Sequence, residues 1–153
     1  MSVNATMKAQ PFIMAPKDYD PALSVLGTKV TVLASNAATQ SYEITLQQGD
    51  EGTGPPLHSH NWDESFYVLK GQVEFSCGGK TELCTPGTLV HVPAGTLHGF
   101  CFGTGGGDMI EFTGHGGLAT QMFAALSEQI PPDCTDASRI REVLTQNGVF
   151  VAP

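Results

Sequence analysis

Three histidines and one glutamate in the middle of the chain have the types and spacing to do chemistry: His58, His60, Glu64 and His98. Imidazole nitrogens and a carboxylate oxygen together suit a divalent transition metal. His58 and His60 are two residues apart, so on a strand both point to one face, about 6.6 Å apart along its axis. Two imidazoles at that separation can converge on one ion about 2.1 Å from each nitrogen. Glu64 lies four residues beyond His60, and a straight strand would carry it about 13 Å away, too far to share the ion. The chain must therefore turn across Asn61-Trp62-Asp63, where Asn and Asp are suitable turn residues. His98 has to arrive from another strand, with Pro93-Ala94-Gly95 supplying the turn before it.

The segments that must position these groups read as short strands. Residues 29–34 are β-branched. Residues 41–47 alternate, with Tyr42, Ile44 and Leu46 on one face. Further strands are expected at 65–70, 72–77, 81–84, 89–92, 97–102 and 109–113. Turn residues at Gly49-Asp50, Gly71, Gly78-Gly79, Pro86-Gly87, Ala94-Gly95 and Gly105-Gly106-Gly107 separate them. Regular short strands with such punctuation predict an all-β sandwich or barrel. The glycines of 103–107 lack the Lys-Ser/Thr ending of a phosphate loop and are expected to form a hairpin tip. Before residue 29, Pro11, Pro16 and Pro21 prevent a long helix, leaving an irregular arm with room for a short strand at Phe12-Ile13-Met14. After residue 113, Leu118, Met122, Leu126 and Ile130 recur every four residues and Pro131-Pro132 ends that helix. Ile140, Val143 and Leu144 mark a second helix that stops at Asn147-Gly148. Their apolar stripes are expected to pack on the outside of the barrel. The division is an N-terminal arm at 1–28, a barrel at 29–113 and a C-terminal helical extension at 114–153.

Composition narrows the functional classes. The 153 residues suit one domain with a core of its own. Seven Lys plus Arg against fifteen Asp plus Glu give a net charge of -8 without a basic stripe, which disfavours nucleic acid and anionic membrane surfaces as partners. No apolar run approaches the roughly 20 residues of a membrane span. The start lacks the layout of a signal peptide, so a soluble, cytoplasmic protein is expected. Cys77, Cys84, Cys101 and Cys134 have no CxxC spacing and are read as reduced, mostly buried thiols rather than zinc ligands.

The glycines and proline around the four ligands fit one frame. Gly52, His58, His60, Glu64 and Gly71 match the pattern G(X)5HXH(X)3-4E(X)6G, and Gly87, Pro93, Gly95 and His98 match G(X)5PXG(X)2H(X)3N up to its last residue, where Phe102 replaces Asn. In these motifs the chain resembles the cupin superfamily, and the stretch PPLHSHNWDESFYVLKG is most similar to the quercetinase-like single-domain cupins. The resemblance implies a cupin jelly-roll β-barrel, here with two short C-terminal helices, that holds the ion inside. It also implies a homodimer, in which the arm before residue 29 could exchange between subunits. It does not specify the reaction, because cupins include dioxygenases, decarboxylases, isomerases, cyclases and non-enzymatic binders.

Strand alternation places Phe100 and Phe102 on the face of His98, and Phe66 on the face of Glu64. These rings are expected either to fill the core or to line a substrate chamber. The only arginines, Arg139 and Arg141, fall in the second helix, and Lys70 and Lys80 fall at turns. A site without inward cations disfavours carboxylate or phosphate substrates and favours a neutral, apolar or phenolic one. His91 alternates with Val90 and Val92 and is read as a surface residue. His115, in Gly114-His115-Gly116-Gly117, is a loop residue or a pocket-mouth acid or base. Three functions follow. The first is a metal-dependent dioxygenase of an aromatic or enolic compound, with Glu64 doubling as base. The second is a Lewis-acid isomerase, cyclase or decarboxylase on the same site. The third is a small-molecule binding module. The ligand set accepts Fe, Mn, Co, Ni, Cu or Zn.

Overall fold

The computed structural model describes residues 8–153. A 3-10 turn at Pro16–Asp18 precedes β1 (Leu23–Val25) and β2 (Thr28–Ala34). A single helical turn, α1 (Asn36–Thr39), leads to β3 (Glu43–Gly49), β4 (His58–His60), β5 (Glu64–Cys77), β6 (Lys80–Cys84), β7 (Leu89–Val92) and β8 (His98–Thr113). Helices α2 (Ala119–Gln129) and α3 (Ala137–Gln146) and a last strand, β9 (Val149–Val151), complete the chain. Pairing is antiparallel throughout. It runs in the order β1, β2, β3, β8, β4, β9, and β5 joins β8 while carrying β6 and β7 on its other side. This is a sheet curled into the expected all-β jelly-roll.

Two long strands replace four predicted short ones. Gly71 does not end a strand; it lies inside β5, at an irregularity in the β5–β8 register. Its φ is +73°, and a Cβ there would stand 2.0 Å from the Gly106 carbonyl oxygen, so only glycine fits. Opposite it, Gly71 pairs with Gly107 and Val73 with Phe102, so four residues of β8 bulge against one of β5. The glycines of 103–107 are thus a bulge within β8 rather than a hairpin tip. Bent there, β5 and β8 each serve both sides of the barrel.

The arm and the extension also depart from expectation. Phe12-Ile13-Met14 forms no strand, and Ile13 is 99% exposed. Residues 23–25 instead pair with β2. The helices end where the proline pair and Asn147-Gly148 predict. The apolar stripe of α2 does not lie on the outside of the barrel. Met122, Phe123 and Leu126 turn into its mouth and pack with Val25, Val30, Trp62, Leu144 and Val149. The reason lies on the strands: Glu43, Thr45 and Gln47 of β3 and Glu111 and Thr113 of β8 face inward and are buried, while Ile44, Leu46, Ile110 and Phe112 face outward. The mouth therefore lacks apolar filling, and α2 supplies it. A second cluster, Phe66, Val68, Val73, Phe75, Cys84, Val92, Phe102 and Met109, fills the opposite end. Of the four unpaired cysteines only Cys84 is buried, against the mostly buried set expected: Cys77 ends β5, Cys101 lies within β8 opposite Glu74, and Cys134 is in the α2–α3 loop, all three half-buried.

Candidate metal centre

The predicted turn between His60 and Glu64 is built by hydrogen bonds to two other loops. The Ala94 amide donates to Asp63 Oδ1 at 2.8 Å, Gly95 N–H donates to the His60 carbonyl at 2.7 Å, and Gly114 N–H donates to the Asp63 carbonyl at 2.7 Å. Glu64 thereby starts a strand that pairs with β7 and β8 and faces back toward β4. His98 comes alongside because it pairs directly with His58.

Ligand atoms of His58, His60, Glu64 and His98 lie within 4.8 Å of one another, and all but His58 are fully buried. Each imidazole is oriented through Nδ1, which donates to a backbone carbonyl: His58 to Pro56 at 2.7 Å, His60 to Trp62 at 3.0 Å and His98 to Thr96 at 2.8 Å. A carbonyl can only accept, so the proton sits on Nδ1 and Nε2 is turned inward as the available donor atom. His60 Nε2 and His98 Nε2 meet the same Glu64 oxygen, Oε1, at 2.8 and 2.6 Å. Three nitrogens and one carboxylate gathered this way are a donor set that fits a divalent cation.

The electrostatics agree with that use. Burial alone would push the Glu64 carboxyl up, but the hydrogen bonds and charge of His60 and His98 outweigh it and hold it at about 2. Burial, with the charge of His98, lowers His58 to about 4, so its imidazole is neutral at pH 7 with a lone pair to give. Burial acts to lower His98 too, yet its bond to Glu64 leaves it raised.

The spacing gave no hint of a second carboxylate beside the first. Glu111 accepts from Gln47 Nε2, from Thr45 Oγ1 at 3.4 Å and from Thr113 Oγ1 at 3.3 Å. Burial drives its proton affinity well above the usual carboxyl range, and the adjoining charge of Glu64 adds to the effect. The sequence marks Trp62 only as part of a turn. Its ring stacks on His60 at 4.1 Å and 4°, and its Nε1 is buried without an acceptor among the described residues. The available signal for Gln47 and Glu111 was that they alternate with the apolar residues of their strands.

The ligands open on a cavity of about 60 Å³, measured to the centres of water-sized groups, with no Lys or Arg in its lining. Phe66 and Phe100 line it, 5.7 Å apart between ring centres. Phe102 does not reach it; it packs at the far end, where a Cβ on Gly49 would come within 2.1 Å of its ring. His91 is exposed and shares a 2.9 Å hydrogen bond with Ser65 Oγ. His115 is exposed and outside the cavity lining.

Fold and site together define a jelly-roll with an interior three-histidine, one-carboxylate centre, and the chain has a cupin fold: the family described as Cupin domain matches residues 42–112, somewhat under half of the chain. It is similar to the quercetin 2,3-dioxygenase of Bacillus subtilis, with 32% identity over 91 residues, covering 58% of this chain and 27% of that protein. It is also 31% identical over 61 residues to an uncharacterized protein of Streptomyces coelicolor, covering 40% of this chain and 58% of that one. The chain thus spans about a quarter and somewhat over half of these two curated relatives. Among solved structures, an RmlC-like cupin from Shewanella frigidimarina superimposes with a TM-score of 0.62 at 20% identity, over 71% of this chain and 95% of that one.

Proposed function

We propose that the protein is a metal-dependent cupin enzyme, a dioxygenase of a neutral aromatic or enolic small molecule, with the metal held by His58, His60, Glu64 and His98. The observation that carries this reading is the convergence of three Nε2 atoms, each fixed through Nδ1, on a buried carboxylate. When bound, Fe, Ni, Mn, Cu, Co or Zn supplies Lewis acidity, and a redox-active ion among them also supplies electron exchange with dioxygen. Glu64 takes the proton of a substrate hydroxyl, and Phe66 and Phe100 flank the substrate's apolar body. The absence of Lys and Arg from the lining supports a neutral substrate, and the similarity to a quercetin dioxygenase supports oxygen chemistry. A homodimer is supported by the outer sheet face, where Tyr67, Leu69, Leu89 and Phe112 are exposed. No helix among the described residues is long and apolar enough to cross a membrane, and a cytoplasmic site of action is part of the proposal.

The test begins with metal analysis of the freshly purified protein and of His60→Ala. The expected result is about one ion per chain, largely lost in the variant; equal metal in both refutes the centre. Oxygen uptake is then followed with phenols and enols on the Fe, Ni, Mn and Cu forms, and turnover that persists without oxygen refutes the dioxygenase.

A second reading, isomerisation, cyclisation or decarboxylation without oxygen, is favoured by the Glu64–Glu111 pair. The proton affinity of Glu64 is held low by His60 and His98 while burial raises that of Glu111, the divergence expected of a base and an acid with separate roles. Non-catalytic binding would leave every ligand unchanged in the metal-loaded protein.

A further inference from the structure

The cavity above the ligands is small for the ring system in the name of the relative. At 10–15 Å³ of centre volume per water, about 60 Å³ holds roughly four to six water-sized groups, the bulk of one six-membered ring with its substituents. A flavonol has three rings. The limit is not set by the barrel. Strands β2, β3, β5 and β8 give Val30, Gln47, Phe66, Phe100 and Glu111 to the walls, and the space directly over them is taken by α2. Met122 and Phe123 are 9% and 6% exposed and both line the cavity. The helix is anchored to the barrel at its start and near its end. Thr120 N–H donates to Glu43 Oε1 at 3.4 Å, and Ser127 Oγ accepts from the Ser24 amide at 3.1 Å. It lies beyond residue 112, where the family match ends.

We infer that α2 restricts the metal site to neutral single-ring ligands, with Phe123 and Met122 as the residues that decide size. The inference rests on the metal centre proposed above and narrows its substrate class. A ligand whose oxygen reaches the ion points its far edge at Phe123 and Met122, so a second or third ring collides with α2. The apolar character of both side chains, and of Leu126 beside them, keeps that edge of the ligand unsubstituted by charge.

The test uses the zinc-loaded protein, in which no oxygen chemistry intervenes, and two probes with the same 3-hydroxy-4-pyrone metal-binding group. Maltol has one ring and 3-hydroxyflavone has three. Binding is measured by calorimetry for the natural chain, Phe123→Ala, Met122→Ala and, as a control outside the cavity, Leu83→Ala, with zinc content taken before and after each titration. The natural chain and Leu83→Ala are expected to prefer maltol by at least about tenfold, the scale at which a pocket rejects excess bulk. Phe123→Ala is expected to erase most of that preference by tightening 3-hydroxyflavone, with maltol affinity changed by less than about threefold. Met122→Ala should move the same way, which keeps the inference testable if one variant misfolds. Equal affinity of the natural chain for both probes, or a preference unchanged in both α2 variants that retain zinc, overturns the inference. A chain that takes up no zinc instead refutes the metal centre beneath it.

Discussion

Phe102→Ala separates the structural end of the barrel from its chemical end. The ring is 1% exposed and sits in a notch made by two glycines: a Cβ on Gly49 would lie 2.1 Å from its Cδ2, and one on Gly107 would lie 3.3 Å from its Cδ1. Burial of the ring contributes transfer free energy, and its removal adds the cost of the void left behind. Phe→Ala changes in cores cost about 3–5 kcal/mol, depending on how far the surroundings collapse. Glycines have no side chains to swing into the gap and the flanking strands are paired on both sides, so the loss should fall in the upper part of that range, about 4–5 kcal/mol. For a chain of this length each kcal/mol lowers the melting temperature by about 2–4 °C, giving a drop of roughly 8–20 °C. Urea unfolding of the metal-free protein measures the loss directly, and the single tryptophan, Trp62, reports it from the other end of the barrel. Zinc content per folded chain should be unchanged, because Phe102 does not line the cavity. A loss below about 2 kcal/mol refutes the argument about collapse. A fall in zinc content at temperatures where the variant is folded refutes the separation of the two ends.

Two further substitutions probe backbone and charge. Gly71→Ala meets both a positive φ and the Gly106 carbonyl, whereas Gly78→Ala meets a positive φ of +57° with nothing within 4 Å. The second should cost about 1 kcal/mol and the first at least about twice that, and equal losses in denaturant melts would show that the bulge yields. Burial raises the Glu43 carboxyl above 4.5, against amide hydrogen bonds from Thr120, Asn36 and Ala119 that lower it. From about pH 4.5 upward the folded chain therefore keeps a proton that the unfolded chain has released, so stability falls as pH rises through that window. Glu43→Gln should flatten this part of the metal-free melting profile between pH 4 and 8, and a profile parallel to that of the natural chain would contradict the assignment.

The ligands were legible because their spacing is local. His58 and His60 share a face by the pleat alone, and the need for a turn before Glu64 follows from the axial rise of a strand. The strand that carries His98 could also be read, since Pro93 and Gly95 mark its start. What alternation could not reveal is which face of β3 and β8 turns inward. Ile44, Leu46, Ile110 and Phe112 have the ordinary look of a core stripe, yet they face outward, and the polar partners they alternate with are buried. That reversal hid Gln47 and Glu111 from view. It also hid the seat of α2, whose apolar stripe was visible but whose destination depends on a barrel mouth lined by acids and amides. The bulge at 103–107 escaped because glycine runs mark hairpin tips and bulges alike.

Strand β9 has a consequence for when the centre can be assembled. Ligand strand β4 meets β8 only at the His58–His98 pair, while Val149, Phe150 and Val151 pair with His60, Ser59 and His58 along its whole length. During synthesis, residues 58–60 emerge well before 149–151, and until those last residues follow, two of the four ligands sit on a strand with one open edge. The backbone edge that steadies His58 and His60 is thus supplied by residues about ninety positions further along, so loss of the β9 pairing should loosen these two side chains before Glu64 and His98.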